Sequence, residues 1–134
     1  CLEWPEHPRL VGHSDGDSVA HAVVDALLSA AGLGDIGSNF GTDRNEYAGA
    51  SGERFISKTL SLLAKAGFVP ANVSVQIIAE KPKISPRRLE LEHHLSEVVG
   101  APVSVLATTT DGLGFLADSR GIAAVATALV RTQS

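Results

Sequence analysis

One cysteine, Cys1, and no methionine stand in this sequence of 134 residues. A lone thiol excludes an internal disulfide framework and suits a reducing compartment, so the expected location is cytoplasmic. A chain that opens on Cys and holds no Met is expected to continue upstream of its first residue. Aromatics are scarce at 4%, so Ala, Val, Leu and Ile must supply the core. No apolar run approaches the roughly 20 residues that span a bilayer, and no signal peptide is visible. There is no basic surplus. The net charge of -4 argues against nucleic acid or an anionic membrane as partner, so any anion site must be built locally. A Walker-type phosphate loop, a Gly-x-Ser-x-Gly elbow and a paired Cys motif are all missing.

What remains is the composition of a folded domain: 44% hydrophobic and 19% charged residues, with length for one core and too little for two. Asp15 or Asp17 caps a predicted helix running to about Ala31, with Val19, Ala20, Val23, Val24, Leu27 and Leu28 inward and Gly32 as C-cap. Residues 38–52, rich in Gly, Asn, Asp and Ser, read as a long loop. A second helix is expected from near Ser51 to Gly67, its apolar face being Phe55, Ile56, Leu60, Leu63 and Ala64. Val73, Val75, Ile77 and Ile78 predict a strand over 72–80. Ser85-Pro86 is an N-cap and N1 pair opening a third helix that stops at Gly100. Its residues Arg87, Arg88, Glu90 and Glu92 read as a solvated face, and His93 and His94 as surface residues. Val103 to Thr108 is a further strand. Residues 122–130 are apolar throughout except Thr127, and periodicity cannot assign them to strand or helix. Helices and strands mix without strict βαβ alternation, so the class is α+β, in one domain, residues 1–134.

Chemistry concentrates in polar clusters beside the ends of these elements. Asp17, His21 and Asp25 recur every fourth residue and share one helix face, a pattern that suits a metal or phosphate site. The same acids suit capping and the helix dipole, and a lone helical His is commonly structural. Thr108, Thr109 and Thr110 offer three hydroxyls to a phosphate, with Asp111 beside them for a divalent cation; a Thr-rich strand end also simply suits β geometry. Gly34 and Gly37 flank Asp35 and permit either close ligand approach or a tight turn. Lys83 is a candidate phosphate or nucleotide contact, or a solvated surface charge.

These clusters, in order along nearly the whole chain, resemble the 2-C-methyl-D-erythritol 2,4-cyclodiphosphate synthase family, most nearly its actinobacterial-type members. The matching segments are His-Ser-Asp-Gly-Asp (13–17), His21, Asp25 to Leu28, Gly-Leu-Gly-Asp-Ile-Gly (32–37), Pro82-Lys83, Ala-Thr-Thr-Thr-Asp (107–111), Leu113 to Phe115 and Gly121 to Ala123. The resemblance implies an α+β domain with a mixed sheet covered by helices on one face, in a homotrimer with active sites at subunit boundaries. It also implies a metal-dependent, CMP-releasing lyase of the non-mevalonate isoprenoid pathway. In 4-diphosphocytidyl-2-C-methyl-D-erythritol 2-phosphate, the 2-phosphate attacks the β-phosphate and closes the ring. By resemblance, His21 is one of three zinc ligands, and Asp111 holds a second cation, magnesium or manganese. His13 and Thr109 match residues that stabilise the transition state. Ser14, Thr108, Thr110 and Phe115 match substrate contacts, Asp35, Ile36, Gly37, Phe40 and Asp43 the sugar-binding loop, and Ala79, Pro82, Lys83, Ile84 and Ser85 the cytosine pocket.

The chain also departs from the family pattern. The family's Asp-x-His, source of the other two zinc ligands on an N-terminal strand, does not occur upstream of His13. Asp118 and Arg120 stand where the family commonly has Arg and Glu, which predicts an ion pair of reversed order. These departures motivate an alternative reading, a catalytically impaired homologue that binds cytidine nucleotides.

Overall fold

The computed structural model describes residues 18–40, 52–79, 85–109 and 122–133. Helix α1 (Ser18–Ala30) buries Val19, Ala20, Val23, Val24, Leu27 and Leu28, the stripe expected from their spacing. It ends in a Schellman motif: the Leu33 N–H donates to the Leu28 carbonyl at 2.8 Å and the Gly32 N–H to the Ser29 carbonyl at 3.0 Å. Gly32 supplies the left-handed φ of 71° that this closure requires. Leu33 then packs on the core from just outside the helix.

Two further segments correct the sequence expectations. Residues 38–40, expected to begin a long loop, belong instead to a short helix α2 (Ile36–Phe40) that buries Phe40. Helix α3 (Gly52–Lys65) buries Phe55, Ile56, Thr59 and Leu63, whereas Ala64 faces solvent. The Thr59 hydroxyl donates to the Phe55 carbonyl at 2.8 Å, so a buried position accepts a polar side chain at little cost.

Strand β1 (Phe68–Ile78) begins earlier than the expected 72–80. Pro70 disguised its start, because proline cannot donate to a ladder. Here Pro70 lies before the neighbouring strand β2 (Val103–Thr108) joins at Val73, and beside a register shift between Pro70 and Asn72. Between β1 and β2 the chain makes a 3-10 turn (Ser85–Arg87) and helix α4 (Arg88–Val99). Ser85 and Pro86 therefore open the turn rather than α4 itself, and Gly100 closes α4 with a φ of 78°. The apolar run 122–130, which periodicity does not assign, lies in strand β3 (Ala123–Thr132) from its second residue onward.

The sheet order is β2-β1-β3, with β1 parallel to β2 and antiparallel to β3. α4 is the crossover that a parallel pair demands. Val73, Val75, Ile77, Val103 and Val105 point into the helical layer and are buried. Ala124, Ala126, Ala128 and Val130 of β3 pack on the same core. The opposite face carries Leu106 (52% exposed), Val125 (59%) and Leu129 (63%). This is the expected α+β arrangement, a mixed sheet with helices on one face.

Candidate active site

His21 lies in the first turns of α1, half-buried. Its ring meets Phe55 of α3 edge-on, with centroids 6.1 Å apart at 77°. Phe55 in turn meets Phe40 of α2 at 5.1 Å and 87°. Three rings thus link α1, α3 and α2, in the edge-to-face geometry that aromatic quadrupoles favour. Phe55 was legible in the sequence only as a core residue; its role beside His21 depends on α1 and α3 packing together.

Asp25 follows His21 by one turn, and its Oδ1 accepts the Ile36 N–H at 2.8 Å. The stripe of Asp17, His21 and Asp25 therefore divides. Asp25 serves α2, His21 remains the donor suited to a metal, and Asp17 lies outside the described residues.

Around α2, Asp35 and Ser38 form a reciprocal capping box. The Ser38 N–H donates to Asp35 Oδ1 at 2.8 Å, and the Asp35 N–H donates to Ser38 Oγ at 3.0 Å. The bond from the Ser38 backbone holds the Asp35 carboxyl below the ordinary carboxylate range, so it is ionised at neutral pH. The Asn39 amide donates to the Leu33 and Asp35 carbonyls, each at 2.8 Å. Gly34 has a φ of +95°, and a Cβ there would sit 2.5 Å from Ser38 Oγ. Of the two readings of Gly34, the tight turn is the one this local geometry explains. Asp35 and Gly37 are both exposed, open to a ligand.

A second group gathers at the ends of the parallel strands, the edge where sheets of this kind commonly bind ligands. The buried Ala79 donates its N–H to the Thr108 carbonyl at 3.1 Å. Thr108 and Thr109 are exposed, and the Thr108 hydroxyl donates to the Thr109 carbonyl at 3.3 Å. Ser85 opens the 3-10 turn. His13, Ser14, Asp43, Pro82, Lys83, Ile84, Thr110, Asp111 and Phe115 lie outside the described residues, as do Asp118 and Arg120.

Two side chains expected at the surface, His94 and Glu92, are half-buried and hold partners. His94 is half-buried and its Nε2 lies 3.1 Å from Glu53 Oε1, joining α4 to α3, whereas His93 is exposed as expected. Burial is the largest single influence on Glu53 and opposes its ionisation, but the hydrogen bond from His94, a backbone hydrogen bond and nearby positive charge together outweigh it and leave the carboxyl below its ordinary range. Glu92 is also half-buried, held by Arg88 at 2.9 Å.

Among the described residues no three His, Cys, Asp or Glu side chains come together to hold a metal. His21 fits a zinc ligand by chemistry and by its braced ring, but it is one donor where a zinc site needs at least three. None of the helices among the described residues is long and apolar enough to cross a membrane.

The model of the YgbB family matches residues 1–131. The bifunctional enzyme IspD/IspF of Clavibacter michiganensis subsp. michiganensis is 60% identical over 96% of the chain, which spans 32% of that longer protein. A 2-C-methyl-D-erythritol 2,4-cyclodiphosphate synthase of Acidothermus cellulolyticus is 54% identical over 96% of this chain and 80% of its own length. Among solved structures, the CDP complex of IspF from Plasmodium falciparum superposes with a TM-score of 0.76 at 29% identity, covering 92% of this chain and 76% of that one. With the fold, the motifs and these relatives in agreement, the chain belongs to the YgbB family, the family of the 2-C-methyl-D-erythritol 2,4-cyclodiphosphate synthases.

Proposed function

We propose that this chain carries out the cyclisation of 4-diphosphocytidyl-2-C-methyl-D-erythritol 2-phosphate in the non-mevalonate isoprenoid pathway. An oxygen of the 2-phosphate attacks the β-phosphorus, the bond from that phosphorus to the CMP oxygen breaks, and CMP leaves as the cyclic diphosphate forms. That makes it a phosphorus–oxygen lyase. The observation that carries the reading is the ordered set of family motifs in a chain 54% identical to a synthase over 80% of that synthase's length.

Phosphoryl transfer of this kind rests on positioning and on neutralising charge. The ionised Asp35 accepts hydrogen bonds from sugar hydroxyls, while Ile36 and Gly37 offer backbone groups at the start of α2. Phe40 supports that loop from the core, and Asp43 extends it. Ala79, Pro82, Lys83, Ile84 and Ser85 receive the cytosine, largely through the backbone. Ser14, Thr108, Thr110 and Phe115 contact substrate. His13 and Thr109 donate to the charge that develops on the transferred phosphoryl group. His21 would hold zinc together with the Asp and His of the family's Asp-x-His motif, which does not occur in this sequence, and Asp111 would hold magnesium or manganese. When bound, such ions polarise phosphoryl oxygens. A homotrimer with active sites at subunit boundaries is part of the proposal, and the exposed apolar side chains of Leu106, Val125 and Leu129 support it.

The test is to incubate the purified protein with the named substrate and follow CMP by chromatography and the cyclic product by phosphorus NMR. Release of both is expected. CDP binding by calorimetry without CMP release would overturn the catalytic reading and leave a nucleotide-binding homologue.

A further inference from the structure

We infer that Asp25 is a positioning residue: its carboxylate pins the start of α2, and so the sugar-binding loop, to the helix that carries His21. This rests on the proposed function, because the value of the pinned segment lies in what Asp35, Ile36 and Gly37 bind.

Ile36 is the first residue of α2, and the first N–H groups of any helix lack an intrahelical acceptor. Asp35 cannot serve them all, since its Oδ1 is taken by the Ser38 N–H. Asp25 reaches across from α1, 11 residues earlier, and accepts the Ile36 N–H at 2.8 Å. The other polar ties described for this segment are local. Asn39 reaches back to Leu33 and Asp35, and Ser38 reaches to Asp35. Such ties shape the loop but do not locate it against the rest of the molecule. A helix of five residues has no stability of its own, so its position depends on tertiary anchors. Phe40, packed edge-on against Phe55, anchors its far end. Asp25 anchors its near end, where the ligand-facing backbone groups lie.

The spacing adds a consequence. Asp25 and His21 are one turn apart on the same face of α1. A rigid helix thus fixes the loop and the imidazole in a single frame, and reacting phosphates and sugar are held in register without direct contact from Asp25.

The experiment compares wild type, Asp25→Ala and Asp25→Asn, using the complete protein. Three readouts are taken: hydrogen exchange of the Ile36 amide, kcat and KM for CMP release, and bound zinc. Asp25→Ala should speed Ile36 exchange and raise KM by about tenfold each, the scale of one lost hydrogen bond to a charged acceptor, with kcat changed far less. Zinc content should stay at the wild-type level. Asp25→Asn keeps an acceptor oxygen and should bring KM back to within about threefold of wild type. Unchanged Ile36 exchange or unchanged KM in Asp25→Ala would overturn the proposal. An Asn variant as impaired as the Ala variant would also overturn it, because charge and not the hydrogen bond would then matter. Wild-type protein that releases no CMP would instead overturn the functional reading, and with it the loop's substrate role, whatever Ile36 exchange shows about the tie.

Discussion

The Glu92 carboxylate of α4 accepts the backbone N–H of Val105 in β2 at 2.8 Å. One turn along α4, Ser96 Oγ accepts the N–H of Val103 at 3.0 Å. The helical spacing of four matches the strand spacing of two, so two side chains satisfy two N–H groups of strand β2. Among the described residues β2 pairs only with β1 and is the sheet's outer strand. Outer strands with open N–H groups invite pairing with other chains, and α4 blunts this one.

Replacing Glu92 by Ala strips Val105 of its acceptor and Arg88 of its ion partner. With Glu92 half-exposed, the expected loss is about 1–2 kcal/mol in urea unfolding. Glu92→Ala, Ser96→Ala together should aggregate at lower concentration than wild type, by light scattering. A double variant as stable and as soluble as wild type would count against the capping role.

The Glu53 carboxylate, hydrogen-bonded to His94, sets a pH dependence. The folded-state value of Glu53 lies below its unfolded one, so the carboxylate form is favoured by folding. Its contribution is fully present above the unfolded carboxylate value and is lost as pH falls through the folded one. Glu53→Gln should therefore be less stable than wild type at neutral pH, by about 1 kcal/mol or less for so exposed a pair. The gap should close in acid. A gap that widened as pH fell would contradict the assignment.

Phe55 is 7% exposed and stands between His21 and Phe40. Phe55→Ala should cost about 3–5 kcal/mol, the range for emptying a packed aromatic site. Phe55→Leu keeps most of the volume and should cost under about 1.5 kcal/mol. Calorimetric unfolding separates the two, and equal losses would show that the edge contacts, not the volume, carry the energy.

Gly34→Ala meets both a left-handed backbone and a clash at 2.5 Å with Ser38 Oγ, an atom already committed to the capping box. Strain plus a disturbed cap predicts a loss of about 2 kcal/mol. Gly32→Ala meets nothing within 4 Å and carries the backbone strain alone, about 1 kcal/mol. The two variants unfolded side by side in urea check this, and the order Gly32 worse than Gly34 would refute it.

Thr109→Ala should barely move stability, within about 0.5 kcal/mol, because the residue is exposed. If Thr109 donates to developing phosphate charge, turnover should drop about a hundredfold with the thermal midpoint unchanged. Normal turnover would remove Thr109 from the proposed machinery.

Wherever structure follows from neighbours along the chain, the sequence was legible. The stripe from Val19 to Leu28, the stops at Gly32 and Gly100, and the strand from Val103 to Thr108 are written in periodicity and capping, and the order of the motifs identified the family. Tertiary structure alone decided the rest. Residues 122–130 are apolar on both faces except at Thr127, and pairing with β1 makes the run a strand from Ala123 on. The early residues of β1 were hidden by Pro70, tolerated because β2 joins only at Val73. His93 and His94 read alike, but α3 lies over one of them and brings Glu53 to it. The sequence places Asp25 on the helix face of His21, but only the fold brings the N–H of Ile36 to it. In each case the deciding partner lies far along the chain, and periodicity carries no information about which distant group will arrive beside a given side chain.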